Sequence, residues 1–311
     1  MIQAIGFPAK RLVVNLILNF LLVPGYIVLF CLTTVLALTP IFPARIARAN
    51  LRKLTGAHAL KATMGTSLVL FHYILVVLED FIFWPMGGML IRDNPSVHEE
   101  AEKASQAAHS QNQGLVILSA HFGNIEVSAD SLRLLFTKHI TPSAPLIALA
   151  KPSKHAWATR LLAWYRQARR IEVILTNRKD LVRAMLQALK QGRALALLVD
   201  QKPAKAGLFV NFFGQPAAFP EGGVELAMRT NSEFFCFSSR RLWPGVYTFE
   251  GKWLHNEKTT ANPPSALLQA YANWLENTIK KSFWQWCWDY NKWSRKPLGT
   301  TNEETPVPKS H

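Results

Sequence analysis

From Leu12 to Ala44 no side chain carries a charge, an apolar interval longer than the roughly 20 residues that cross a bilayer as a helix. The interval predicts a membrane-embedded helical segment. It is too long for a secretory signal peptide and runs on into basic residues, so removal is not expected. Pro24-Gly25 interrupts it, which leaves a kinked single span, a short hairpin or a helix lying partly in the interface as alternatives. A second apolar run, Met64 to Ile91, contains Glu79-Asp80 and Trp84-Pro85 and reads as a buried or interfacial helix rather than a second span.

Beyond it the period of the apolar positions alternates. Ser96-Val97-His98-Glu99 has the form of a capping box, and the helix it opens would stop at Gly114. Leu115 to Ser119 is then a short buried strand, and the rhythm repeats: strand Ile147 to Ala150, helix His155 to Arg169, strand Ile171 to Leu175. Asn177 can cap a helix that places Leu181, Val182, Met185, Leu186 and Leu189 on one face, with Gly192 as its stop. A strand from Ala194 to Val199 ends at Asp200. Runs beginning at Phe234 and Val246 read as strands, and a last helix spans Ser265 to Lys281. The pattern predicts an α/β fold: a mixed, largely buried β-sheet flanked by helices, with the N-terminal membrane-embedded helical segment added to it. The expected division is a membrane anchor over 1–45, a folded domain over 46–295, and a polar tail over 296–311 that is expected to be disordered.

Charge adds a class of partner. Lys and Arg number 35 against 20 Asp and Glu, a formal charge of +15, so the partners are expected to be anionic. Arg45, Arg48, Arg52 and Lys53 follow the apolar segment, against Lys10 and Arg11 before it, and place the rest of the chain on the cytoplasmic side by the positive-inside rule. The three scattered cysteines, Cys31, Cys236 and Cys287, have no metal-ligand spacing or disulfide framework and read as buried thiols.

The candidate chemistry lies in GLVILSAHFGNIEVSAD, Gly114 to Asp130. His121 follows a strand, Gly123 permits a sharp turn, Asn124 is a good N-cap, and Glu126 falls in the first turn of the next helix. A carboxylate there could hold one imidazole nitrogen and leave the other to accept a proton, the arrangement of a general base. The alternative is a loop histidine beside a carboxylate that only complements a helix N-terminus. Ser119, at the strand end, reads as structural rather than nucleophilic. The His-x4-Glu spacing lacks the same-face geometry of a zinc helix, so no metal is expected, and no nucleic-acid motif accompanies the positive charge.

SAHFGNIEVS resembles the H-x4-(D/E) block of the lysophospholipid acyltransferase-like superfamily, in particular its lipid A late acyltransferase (lauroyl/myristoyl transferase) branch. NRKDLVRAMLQALKQGRALALLVDQK is similar to that branch's helix, glycine and strand leading into an Asp-Gln or Asp-His pair. VNFFGQPAAFPEGGVELAMRT resembles its Phe-Phe-Gly segment, and FWQWCWDYNKW its C-terminal aromatic block, although Asp289, Tyr290 and Asn291 stand where the branch usually carries His and Arg.

The resemblance implies transfer of a fatty acyl chain from acyl carrier protein to a hydroxyl of an anionic lipid A precursor at the cell inner membrane. No cofactor is implied beyond the acyl thioester. His121 would be the base and Glu126 its orienting acid. Gly123 and Arg166 would be oxyanion or phosphate donors, with Arg169 and Arg170 competing for the arginine's place, and Asp200, Gln201, Phe213 and Gly214 would be further substrate contacts. Phe212 and Phe213 are candidate walls of an acyl groove. A glycerophospholipid or other glycolipid acceptor, suggested by FPEGG at Phe219 to Gly223, and a membrane-anchored lipid-binding scaffold without chemistry are the competing readings.

Overall fold

The computed structural model describes residues 8–110, 113–137, 146–169, 171–203, 207–254 and 264–295. The tail over 296–311 and Arg170 lie outside them. The helices are α1 (Ala9–Leu38), α2 (Ala44–Thr55), α3 (Ala59–Leu78), α4 (Pro95–Ser110), α5 (Ile125–Thr137), α6 (Ala156–Ala168), α7 (Leu181–Lys190), α8 (Gly222–Arg229) and α9 (Pro264–Lys281). The strands are β1 (Leu90–Arg92), β2 (Leu115–Ser119), β3 (Ile147–Ala150), β4 (Glu172–Leu175), β5 (Ala194–Leu198), β6 (Leu208–Phe212), β7 (Gln215–Phe219), β8 (Glu233–Trp243) and β9 (Val246–Leu254).

Seven strands form one sheet in the order β1-β9-β8-β2-β5-β3-β4, and β6 and β7 form a separate antiparallel hairpin. The run from β8 to β4 is parallel, and β9 joins β8 antiparallel. The two faces of β2 supply two cores. Val116 and Leu118 pack with residues of α2, α3, α7, α8 and α9, while Leu115 and Ile117 pack with α4 and α5. Burial on both faces explains why this strand reads as an unbroken apolar run.

The helix α1 is continuous through Pro24, which excludes the hairpin alternative: a proline inside an apolar helix costs one hydrogen bond but need not break it. It is long and apolar enough to cross a membrane, and most of its surface is exposed, Cys31 included, which the sequence reading expected to be buried. Its polar face is tied to the domain, where Asn15 Nδ2 donates to the carbonyls of Gly88 and Pro244 at 2.9 and 3.2 Å. The helix α3 is half buried and ends in a wide π-helical turn, Glu79–Phe83. It too is long and apolar enough to cross a membrane.

That turn buries an ion pair. Arg241 Nε and Nη2 donate to Glu79 Oε1 and Oε2 at 2.7 and 2.6 Å, the Gly245 amide donates to Oε1 at 2.8 Å, and the Tyr247 hydroxyl donates to Oε2. Removing one charge of such a pair strands the other, so Glu79→Gln is expected to cost about 3 kcal/mol of stability, read as an earlier denaturation midpoint in detergent.

Two helix starts differ from the sequence expectation. The helix α4 opens at Pro95, one residue before the expected Ser96 cap; Asn94 precedes it, its carbonyl accepting the Val97 amide at 3.0 Å. Proline is favoured at a first helical position, where no intrahelical donor is needed. The helix α7 begins at Leu181 behind Asp180, not at Arg178 behind Asn177. Arg178 instead pairs with Asp180, Nε to Oδ1 at 2.6 Å and Nη2 to Oδ2 at 2.7 Å, which holds the preceding residues as a turn.

Candidate active site

The parallel register of β2 and β5 sets Ser119 beside Leu198. Two residues further along each strand come His121 and Asp200, so the two side chains emerge level, beyond the carboxyl ends of adjacent strands. In an open α/β sheet this is where sites form. The His121 amide donates to Asp200 Oδ2 at 2.9 Å and Nδ1 lies 2.8 Å from Oδ1. A carboxylate can only accept here, so Nδ1 carries the proton and Nε2 is the free nitrogen. The indole Nε1 of Trp286 also donates to Oδ2, at 3.0 Å.

Burial by itself would lower the His121 pKa, but the charge and hydrogen bond of Asp200, with a contribution from Asp289, leave it raised. Burial would raise Asp200, and the same pair holds it below the usual carboxylate range. Lys292 is fully buried, its Nζ donating to the Ala218 carbonyl at 2.7 Å and lying 3.3 Å from the Phe219 ring centroid. Burial pushes its ammonium down to about 7 against the opposing pull of Asp200.

The histidine loop is built to be rigid. Gly123 has φ +65°, and a Cβ there would meet the Ser239 carbonyl oxygen at 1.9 Å, so neither the conformation nor the space admits another residue. Asn124 Oδ1 accepts the amides of Glu126 and Val127 at 3.0 and 3.1 Å, the predicted cap of α5. The C-terminal aromatic block closes the loop from the other side. The Gly123 amide donates to the Gln285 carbonyl at 2.9 Å, and the Cys287 amide donates to the His121 carbonyl at 3.1 Å. This gives the block a concrete part despite its departures at Asp289, Tyr290 and Asn291. Asp289 accepts from the Tyr73 hydroxyl at 2.6 Å, and the Tyr290 hydroxyl donates to the Lys202 carbonyl at 3.0 Å.

Glu126 falls in the first turn of α5 as the sequence reading has it, but it does not hold His121. Its carboxylate takes Arg166 of α6 in a forked pair, Nη2 and Nε donating to Oε1 at 2.7 and 3.0 Å. The expected His121–Glu126 contact is replaced by His121–Asp200. Strand register claims both the amide and the ring of His121 for Asp200, while the first turn of α5 carries Glu126 toward a guanidinium whose fork fits a carboxylate.

Two clefts meet at His121. One, of about 330 Å³, is lined mainly by apolar groups, among them Tyr73, Val76, Phe81, Leu161, Leu162 and Tyr165. The other, of about 440 Å³, brings Lys151, Arg166, Thr176 and Gln201 to the same histidine. Glu126 borders the first and Arg166 the second. Among the described residues no three His, Cys, Asp or Glu side chains converge as a metal-ligand set.

The sequence profile of the bacterial lipid A biosynthesis acyltransferases matches residues 12–295. The chain belongs to this family. No curated relative matches it at a significant level. The match takes in most of α1, the histidine loop, Asp200 and the C-terminal aromatic block together.

The remaining candidates of the acyltransferase divide. Gln201 lines the second cleft and Gly123 the first. The Gly123 amide, offered as an oxyanion donor, is already spent on Gln285. Phe213 and Gly214 form the two-residue turn between β6 and β7, with φ of 55° and 71°, the mirror-image turn geometry that hairpin twist favours. The Phe213 amide donates to Glu276 Oε2 at 2.8 Å, and neither residue is among the described residues lining the two clefts.

Phe212 is fully buried against Trp286 and Trp293 and is not among the described residues lining the two clefts. Ser119 Oγ donates to the Phe237 carbonyl at 2.8 Å, a structural bond. Of the competing arginines, Arg166 reaches the site, while Arg169 is buried with its guanidinium 4.2 and 3.9 Å from the Trp84 and Tyr165 ring centroids. Sequence reasoning gives Trp286 and Lys292 no part in holding Asp200; a polar handle on a tryptophan and a lysine inside an apolar run are the signals that point to them.

Proposed function

We propose that the chain moves a fatty acyl group from an acyl carrier protein thioester to a hydroxyl of a phosphorylated lipid A precursor, with His121 as general base and Asp200 as the carboxylate that orients it. The observation that carries this reading is the Asp200-held His121, its Nε2 free, at the meeting point of an apolar cleft and a second cleft that Lys151 and Arg166 reach.

The acyl chain occupies the apolar cleft, and the acceptor's phosphorylated head lies against Lys151 and Arg166. Nε2 takes the proton of the acceptor hydroxyl as its oxygen attacks the thioester carbonyl. Asp200 stabilises the imidazolium that forms. The tetrahedral intermediate collapses with cleavage of the C–S bond, and the imidazolium returns the proton to the departing thiolate. Developing negative charge on the carbonyl oxygen is met by the positive N-terminal end of α5. The formal charge of +15 suits an acidic carrier protein and an anionic lipid alike. With α1 as a membrane anchor and the basic α2 after it, the catalytic domain sits on the cytoplasmic face of the inner membrane.

Glu126, in this account, positions Arg166 rather than His121. Glu126→Gln is therefore expected to raise the KM for the acceptor about tenfold while leaving the pH dependence of turnover in place. The reading as a whole is tested by incubating membranes that contain the chain with radiolabelled acyl carrier protein thioester and a lipid A precursor. Labelled, more heavily acylated lipid supports it. Transfer to a lysophospholipid in preference to the lipid A precursor would displace the acceptor, and no transfer to either would remove the enzymatic reading.

A further inference from the structure

The helix α6 turns its hydrophobic face the wrong way for water. Trp157, Leu161 and Trp164 follow at intervals of four and three, one stripe of a helix, and are 66, 40 and 65 % exposed. Its inward face instead carries Tyr165, Arg166 and Arg169, which meet Asp80, Glu126 and the Trp84 ring. Two tryptophans held outward on one helix form an apolar patch that needs a partner.

Two observations say what covers it. The patch is continuous with the apolar surface of the candidate spanning helices: Tyr165 stacks on Phe81 with ring centroids 6.2 Å apart, Phe81 and Val77 are exposed, and Phe71 of α3 packs against Tyr26 and Phe30 of α1. Exposed basic side chains, Lys151, Lys154 and Arg160, border it. Tryptophan beside lysine and arginine is the composition of a helix lying at the headgroup boundary of an anionic bilayer. A second copy of the chain docked on the same face would bring its own basic border to this one, like charge against like.

We propose that α6 is an interfacial helix whose Trp157–Trp164 face inserts into the headgroup layer of an anionic lipid bilayer. Leu161, Leu162 and Phe81 line the apolar cleft as well as belonging to this exposed surface. With α6 seated in the membrane, the cleft opens sideways into the acyl layer, and a lipid reaches His121 without crossing water. The lipid contact itself rests on the exposed face alone and is tested without any activity.

The full chain carrying Cys31→Ser and Trp164→Cys is labelled with an environment-sensitive fluorophore and reconstituted into vesicles of phosphatidylglycerol and phosphatidylcholine. Any signal from the buried Cys236 and half-buried Cys287 is read from the Cys31→Ser parent. The expected result is a blue-shifted emission, quenched by nitroxide-bearing lipid, with loss of quenching by aqueous iodide and a weaker lipid effect in pure phosphatidylcholine. Trp157→Cys gives an independent reading one end of the helix away. Iodide quenching without nitroxide quenching would put the face in water and overturn the proposal. Insensitivity to both would mean protein covers it, and equal quenching in neutral vesicles would overturn the anionic lipid as partner.

Discussion

His121→Ala is expected to lower acyl transfer by about 10²- to 10⁴-fold at unchanged protein level, the range that a positioned general base contributes. The loss should fall on turnover rather than on acceptor KM, because the imidazole acts on the hydroxyl proton in the transition state and the described clefts retain Lys151, Arg166 and their apolar lining without it. The fold should tolerate the change. The backbone bonds that hold the loop, the His121 amide to Asp200 and the Cys287 amide to the His121 carbonyl, do not involve the ring. Radiolabelled product formation at matched protein level measures it. A variant that keeps wild-type turnover would remove His121 from the chemistry.

Asp200→Asn is expected to cost a comparable factor, about 10²- to 10⁴-fold, by fixing the wrong tautomer. The geometry makes the direction unambiguous. Oδ2 accepts two N–H groups, from the His121 amide at 2.9 Å and from Trp286 Nε1 at 3.0 Å, so the asparagine must put its carbonyl oxygen there. Its NH₂ group then faces Nδ1, which has to accept, and the proton moves to Nε2, where the acceptor hydroxyl needs a lone pair. The variant is close to isosteric and leaves the polar contacts at Oδ2 satisfied, so a fall in turnover with an intact melting transition separates this from misfolding.

Much of this site was legible before any coordinates. The turn at Gly123, the cap at Asn124 and the position of His121 past a strand all follow from residues adjacent in the chain, whose conformational preferences are local. The strands ending near Ser119 and Val199 were legible too. Their adjacency was not: the pairing of β2 with β5 brings together residues 79 apart in the chain, and parallel pairing leaves no turn signature between the partners. Glu126, five residues from His121, was the nearest carboxylate in sequence, while Asp200 is the nearest in register.

The same distance hides Trp286, which reaches Asp200 from the end of the chain, and Lys292, whose burial no local pattern announces. Proline misled at one end and helped little at the other. Pro24 does not interrupt α1, because an apolar helix of 30 residues survives the loss of one bond, whereas Pro95 starts α4 where Ser96 was expected to cap it. The three-residue β1 strand is too short for periodicity to show.

The most direct test of the His121–Asp200 base is the pH dependence of kcat/KM, from about pH 5 to about pH 9, for wild type, Asp200→Asn and Glu126→Gln side by side. A base works only when neutral, and Asp200 raises the His121 pKa, so the acidic limb of the wild-type profile should lie above the ordinary imidazole value. Removing the aspartate charge takes away that support and should move the limb to lower pH in Asp200→Asn, while Glu126→Gln keeps it in place. A limb that shifts in Glu126→Gln and stays fixed in Asp200→Asn would contradict the assignment and return the orienting role to Glu126.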